Sequence, residues 1–587
     1  MVSESPARHD DDRLLTRSLG SARSLIGLQL VSRLVTFVLN QGLIRLVSPQ
    51  AYGTAAVQFE LLMSTILFLS REGVRNSLLR IWPQQTNVDQ PASAVSVAQC
   101  ANLAALPFFL GLPTTFVTVV LYAFSASETT TSQPHFHLAL LIYATAAVGE
   151  LLSEPMHNRA MGEVRTDARV KAEGLGIIVK TIITYLILLY DDNRRHLGEL
   201  ALIAFALGQL AYSATVFWTY KPQFPESSLW PISLPEQHQT PRSVIYPSAA
   251  DAETQSNRKN SWSRLVANFF DPDALHLSMT MTSQSIVKHF LTEGDKFLVS
   301  YWSPLQHQGG YAIAVNYGSL VARIVFQPIE EMCRVYFSKA LSGPMSQKNS
   351  ATARTSGNSA ALSQASGSLA SLLSIQIAFS MLVVTFGSSY LPIVLQLLLP
   401  AQYISTSAPK VLSAWIWYIP VLALNGGLEA FYSSVATPQD LRAQSRWMLA
   451  FSVIYVLSAT ALYNIGFGDT SLVYANIANL TARIWYTATF IVIYFGKRMR
   501  SHQLTLANVV PGWKFSGIVA LSFLAISRNK ARHHLAEEVE RLGRRALFST
   551  LVLGHVAFGA GLGLVCVGLW WITEGKRLVA RERIKAE

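Results

Sequence analysis

The 587-residue chain is short of charge and nearly without cysteine. Asp, Glu, Lys and Arg make up 14% of it, apolar residues 50%, and the mean hydropathy is +0.30. An ordinary soluble multidomain protein carries more charge than this, so the composition indicates a polytopic membrane protein. Cys100, Cys333 and Cys566 are an odd number of thiols in or beside apolar runs, which argues against a disulfide framework and assigns them to the core. His and Cys show no metal-ligand spacing, and no metal or other cofactor is expected; His289, beside Lys288, is read as a packed or cavity-lining residue. No Gly-x-x-x-x-Gly-Lys-Ser/Thr loop occurs, so no nucleotide motor of that kind is expected. The N-terminus, with Asp10, Asp11 and Asp12 ahead of Arg13 and Arg17, lacks the apolar core and cleavage site of a removable signal. The first span is expected to serve for targeting. No acidic pair opens a large domain after that span, where a membrane glycosyltransferase needs one, and the chain is not expected to be an enzyme. The one glycosylation sequon, Asn479-Leu480-Thr481, falls inside an apolar run and is expected to stay unused.

What the chain has is apolar length. Runs able to cross roughly 30 Å of hydrocarbon lie near residues 24–46, 52–70, 95–122, 137–156, 174–190 and 198–219. A second set lies near 278–301, 309–333, 367–399, 408–435, 447–465 and 471–495, followed by weaker or terminal runs at 513–527 and 547–572. The fold class expected is therefore an all-α polytopic membrane protein of about 14 spans. The formal charge of +12 arises from Lys and Arg gathered in alternate loops, so the positive-inside rule explains it better than nucleic-acid binding. Arg75 and Arg80, Arg159 to Lys171, Lys221 to Lys259, Lys339 to Arg354, Arg442 and Arg446, and Lys497 to Arg500 mark the cytosolic loops, with both termini cytosolic. Segments 123–136, 302–310 and 466–470 contain no Lys or Arg, while Arg194, Arg195 and Lys410 are exceptions. The segment from Arg528 to Arg545 breaks the phase, and Glu537, Glu538 and Glu540 within it suggest a charged amphipathic helix.

The expected domains are a cytosolic tail at 1–22, an N-lobe at 23–220, a flexible cytosolic linker at 221–261, a C-lobe at 262–500 and C-terminal spans with a cytosolic tail at 501–587. The linker is rich in Pro, Ser, Gln and Asn and ends at an interfacial helix containing Trp262, Leu265, Val266, Phe269 and Phe270. The Ser-, Ala- and Gly-rich stretch at about 346–368 is expected to be disordered. An internal repeat relates the lobes: Gln29 matches Gln284, Arg33 Lys288, Asn40 Asp295, and Ser48-Pro49 matches Ser303-Pro304. After a short insertion Tyr52 matches Tyr311, Leu61 Leu320, Glu72 Glu331 and Arg75 Arg334.

Charge inside the apolar runs then needs an explanation, because each buried charge costs roughly 2.5 to 3.5 kcal/mol at mid-membrane. Arg33, Lys180, Lys288, Lys296, Arg323 and Arg483 outnumber Glu60, Glu293, Asp295 and Glu429, and Asn40, Asn425 and Asn476 accompany them. One reading makes them ion pairs that fasten helices together. The other, favoured for Arg33, Lys288, Arg323 and Arg483, places them around a hydrated cavity that holds an anionic headgroup such as a phosphate or diphosphate. Arg71, Glu72 and Arg75, with Glu330, Glu331 and Arg334 in the repeat, sit at cytosolic helix ends. Their i, i+3 spacings suggest Glu72–Arg75 and Glu331–Arg334 pairs forming a gate, with ordinary interfacial anchoring as the alternative.

Several motifs together resemble one known family. The run Leu291-Thr292-Glu293-Gly294-Asp295-Lys296, then Gly318-Ser319-Leu320-Val321-Ala322-Arg323 and Gln327-Pro328-Ile329-Glu330-Glu331, resembles the eukaryotic endoplasmic reticulum oligosaccharide-lipid translocation family. Arg33 to Asn40, Ser70-Arg71-Glu72, Ser153-Glu154-Pro155, Asn425-Gly426 with Glu429, and Asn476 with Arg483 agree with it, over about residues 20–500. The resemblance implies a branch of the superfamily of multidrug exporters and lipid II flippases, with two six-helix lobes plus two C-terminal helices. It further implies movement of the pentamannosyl dolichyl diphosphate intermediate of N-glycosylation from the cytosolic to the lumenal leaflet. The expected partners are that glycolipid, the surrounding membrane lipids and other N-glycosylation proteins. A non-transporting accessory that binds the same glycolipid, or a small-solute exporter, remains the alternative.

Overall fold

The computed structural model describes residues 37–82, 94–163, 165–194, 198–230, 269–341, 351–499 and 506–576. Among these residues the chain is helical throughout and contains no strand. Hydrocarbon offers a backbone no hydrogen-bond partner, so an apolar run of this length satisfies its N–H and C=O groups within its own helix. That requirement carries the second helix straight through Pro107 and Pro113.

Numbered in order, the main helices are α1 (Pro49–Ile81), α2 (Ala94–Ser125), α3 (Phe136–Gly162), α4 (Thr166–Asn193) and α5 (Ala201–Tyr220). Next come α6 (Pro272–Thr292), α7 (Gly294–Trp302), α8 (Leu305–Ser338), α9 (Ala351–Leu398) and α10 (Ala408–Val435). The last are α11 (Pro438–Leu462), α12 (Thr470–Arg498), α13 (Trp513–Arg532), α14 (Leu535–Leu542) and α15 (Thr550–Gly575). Among the described residues ten helices are long and apolar enough to cross a membrane: α1 to α5, α8 to α11 and α15. Four expected spans are not among the ten. The span at 24–46 is described only from residue 37; that at 278–301 is split at Glu293; and α12 and α13 are continuous helices whose polar residues dilute their apolar length.

The described chain forms two compact units, residues 38–309 and residues 310 onward together with Phe37. In the first, Met156 and Ala160 of α3, Ala168 and Ala172 of α4, and Val216 and Tyr220 of α5 make one buried cluster. Val74 and Leu78 of α1 pack with Cys100, Leu103 and Ala104 of α2 and with Ala274 and Leu275 of α6. In lipid such contacts depend on close fit, since the surrounding chains are as apolar as the core. Gly73 meets this need: a Cβ there would collide with the backbone of Thr282, so α1 and α6 approach to backbone contact.

In the second unit Phe337, Leu362, Ala365, Leu369, Leu428, Phe431, Ile491 and Phe495 join α8, α9, α10 and α12. Phe515 and Val519 of α13 and Cys566 of α15 close around Ala378 of α9. Cys100 and Cys566 are buried free thiols, and Cys333 is half-buried.

Two expectations are corrected here. The stretch 346–368 is not disordered where it is described: α9 begins at Ala351, and Leu362, Ala365 and Ser366 are buried in it. Alanine favours the helix, and small Ser and Gly side chains let neighbouring helices approach, so low complexity here encodes a packed helix. The interruption between α6 and α7 replaces a single continuous span, with Glu293 at φ −99°, ψ 7°. The interfacial helix before Phe269 lies outside the described residues.

Candidate functional site

The richest polar constellation belongs to the first unit. Lys180 comes from α4, Glu60 from α1 and Gln209 from α5, and with Asn40 and Thr184 they border a cavity of about 240 Å³. A second cavity of about 390 Å³ shares Glu60, Met63, Lys180 and Gln209 with it and extends the polar lining to Arg71, Glu72 and Glu150. Lys180 Nζ donates to Gln209 Oε1 at 2.6 Å. No described carboxylate lies within ion-pair distance of it. Among the described residues Lys180 is thus a half-buried ammonium held by an amide, with the Glu60 carboxylate in the same lining but beyond ion-pair distance, a point charge that a mobile anion can meet.

Arg71, Arg75 and Lys296 of this unit are matched to carboxylates. Arg71 Nη1 lies 2.7 Å from Glu150 Oε1 and 3.2 Å from Glu154 Oε1, and Arg75 forms two bonds to Glu154, at 2.5 and 2.8 Å. Glu154 is fully buried. The expected Glu72–Arg75 pair is therefore corrected: Arg75 turns to α3 because a buried carboxylate there offers two desolvated bonds, and Glu72 accepts from Asn76 at 3.2 Å. Lys296 of α7 lies 2.9 Å from Glu293 and 3.2 Å from Glu60. Asp295, in the first turn of α7, accepts from the Lys296 backbone N–H at 2.9 Å. Thr65 and His289 share a hydrogen bond of 2.9 Å, which fixes α6 against α1. Arg33 and the Lys288 side chain lie outside the described residues, although Lys288 itself is on α6.

The second unit holds its own polar cluster. Arg483 of α12 donates through Nη2 to both oxygens of Glu429 of α10, at 3.0 and 2.8 Å, and Asn425 donates to the same carboxylate at 3.1 Å. Arg323 folds back on its own helix to the carbonyl and Oδ1 of Asn316, at 2.9 and 2.8 Å. Glu330 packs against Gly426, where a Cβ would overlap its carboxylate. Glu331 and Arg334 are both exposed and form no ion pair with each other, which corrects the second expected pair. Asn476 is half-buried on α12.

Sequence reasoning missed Glu150, which had a visible signal. Glu150 and Glu154 are four apart on one helix face with no cation on that face, an arrangement that destabilises a helix unless another helix supplies one. Among the described residues no group of His, Cys, Asp and Glu is arranged to hold a metal.

The Rft-1 family model, described as Rft protein, matches residues 17–580. The chain belongs to the Rft-1 family. A relative from Yarrowia lipolytica, the Man(5)GlcNAc(2)-PP-dolichol translocation protein RFT1, is 34% identical over 86% of this chain and 75% of its own length. The protein of the same name from Schizosaccharomyces pombe is 31% identical over 82% of this chain and 84% of its own. Among solved structures, lipid II flippase MurJ in an inward closed conformation matches 93% of this chain and 98% of its own, with a TM-score of 0.56 at 12% identity. This member of the Rft-1 family thus shares the MurJ fold.

Proposed function

We propose that the protein translocates Man(5)GlcNAc(2)-PP-dolichol, the glycolipid named in its Rft-1 relatives, across a membrane. The observation that carries this reading is Lys180, a half-buried cation with no carboxylate partner among the described residues, in a polar cavity. A diphosphate supplies the missing anion, the amide and hydroxyl lining suits sugar, and a polyprenyl tail stays in hydrocarbon. Lys288 of the same unit is proposed as a further headgroup contact, and Arg33 and Arg323 as headgroup-binding cations in their own right. Arg71, Glu72 and Arg75 in the first unit, and Glu330, Glu331 and Arg334 in the second, are proposed as gating residues at the cytosolic end of each unit.

The direction proposed is from the cytosolic to the lumenal leaflet of the endoplasmic reticulum, with both termini cytosolic. The architecture proposed is about 14 spans in two six-helix lobes related by the repeat, with two C-terminal helices and association with other N-glycosylation proteins. The test is reconstitution in liposomes, reading access of the lipid-linked heptasaccharide to an external lectin. Acceleration over protein-free vesicles, lost in Lys180→Met, supports the reading; no acceleration by folded protein ends it.

One observation favours a second reading, an accessory that binds the glycolipid without moving it. Arg71, Arg75, Lys296 and Arg483 are already neutralised by carboxylates, and such pairs hold helices rather than ligands. That reading expects glycolipid binding without transport in the same vesicles.

A further inference from the structure

The C-terminal helices carry a set of cations that the cavity of the first unit does not use. Arg528, Lys530, Arg532, Arg541, Arg544 and Arg545 share their stretch with three acids, Glu537, Glu538 and Glu540. Contacts along α9 fix the level at which they lie. Near the start of α13, Gly512 N–H donates to Glu574 Oε1 at 2.6 Å, and Ser374 of α9 lies 3.5 Å from the other Glu574 oxygen. At the other end of α13, Ser527 and Lys530 are level with Ser388 and Ser389, and Arg544 lies 3.5 Å from the carbonyl of Gln396. At about 1.5 Å per residue, Ser374 to Ser388 and Gln396 is about 20 to 33 Å, the thickness of a hydrocarbon core. The cations therefore gather at the C-terminal end of α9, where the following segment 399–407 has no Lys or Arg. A basic cluster beside a loop without Lys or Arg departs from the positive-inside pattern.

A groove of about 610 Å³ between α9 and α13 gathers part of the cluster. Ser388, Ser389, Phe523, Ser527, Lys530, His534 and the carboxylate-bearing Glu537 line it. His534 has φ 47°, a left-handed turn that ends α13 and starts α14, whose Leu535 and Val539 are anchored against Ala546, Val552 and Ile393. Glu538 pairs with Arg541 at 2.9 Å, and Glu537 lies 3.7 Å from His534. Lys530 has no described carboxylate within ion-pair distance. Below the groove α13 exposes Leu521, Phe523 and Leu524, an apolar surface continuous with a polar, cationic one.

We propose that this groove binds the phosphate of an anionic lipid headgroup, with Lys530 and His534 on the phosphate oxygens, Ser527 as a hydroxyl donor, and the acyl region along Phe523 and Leu524. The test is native mass spectrometry of the full-length protein in detergent with dioleoyl phosphatidic acid, with dioleoyl phosphatidylcholine, and with inorganic phosphate. Preferential retention of phosphatidic acid, weakened about fivefold by Lys530→Gln and unchanged by Arg541→Gln outside the groove, supports the proposal. Ser527→Leu, which fills the groove without changing its charge, reads the same site if Lys530→Gln fails to fold. Equal losses in Lys530→Gln and Arg541→Gln reduce the effect to diffuse surface charge and overturn it. Retention of inorganic phosphate without preference for phosphatidic acid overturns the headgroup assignment.

Discussion

At the scale of single residues, the buried Glu154 carboxylate organises the arginine cluster of the first unit. It holds Arg71 and Arg75 at once, so its removal leaves two guanidinium groups short of a partner in a site they enter with about a fifth of their side chains exposed. Breaking a buried pair costs about 3 to 5 kcal/mol, and this partial exposure lowers the expectation for Glu154→Gln to about 2 to 4 kcal/mol. Thermal unfolding in detergent checks it as a midpoint several degrees below wild type; an unchanged midpoint would show the cluster to be held by water instead. Arg483 and Glu429 give a second measurable pair. A double-mutant cycle with Arg483→Gln and Glu429→Gln is expected to return a coupling of about 1 to 3 kcal/mol in unfolding free energy, because each truncation alone strands the other group. Which charges lie within apolar runs was legible from sequence, since hydrophobic length and charge are both composition. Their partners were not. The i, i+3 rule suggests Arg75 with Glu72, but a fully buried carboxylate on another helix outcompetes a half-buried neighbour on the same one.

At the scale of elements, close approach and interruption decide the geometry. Gly73 brings α1 against the backbone of α6, the helix that carries Lys288 and His289. Gly73→Val is expected to force these helices apart and lower folded yield, read by size-exclusion profile and midpoint of unfolding, whereas Gly174→Ala, with open space at its Cβ, is expected to change neither. The break at Glu293 ahead of Gly294 frees backbone groups within an apolar run, and Lys296 secures the turn through Glu293 and Glu60. Such breaks occur where helices line a polar cavity. Apolar length located most helices in the sequence. It missed this break, because a Glu-Gly step inside a hydrophobic run has no strong stop signal, and it undervalued 351–368, because composition cannot distinguish a small-residue packing face from a flexible linker.

At the scale of the whole molecule, membership of the Rft-1 family and the MurJ fold agree with a helical protein of ten described spans. The family was legible in the motifs from Leu291 to Lys296 and from Gly318 to Glu331, and a polar cavity was expected, but not that α1, α4 and α5 meet around this one across long sequence separations. Lys180 is the proposed anion-binding cation of that cavity. Its most direct test places wild type and Lys180→Met side by side in liposomes carrying the lipid-linked heptasaccharide, with lectin capture reading transbilayer movement and equal folded protein confirmed in both. The account predicts fast capture of the inner-leaflet glycolipid with wild type and a rate reduced at least about tenfold in Lys180→Met, matching the loss of one buried charged contact of about 1.5 to 3 kcal/mol. Equal rates in the two proteins, or a wild-type rate no faster than that of empty vesicles, would contradict it.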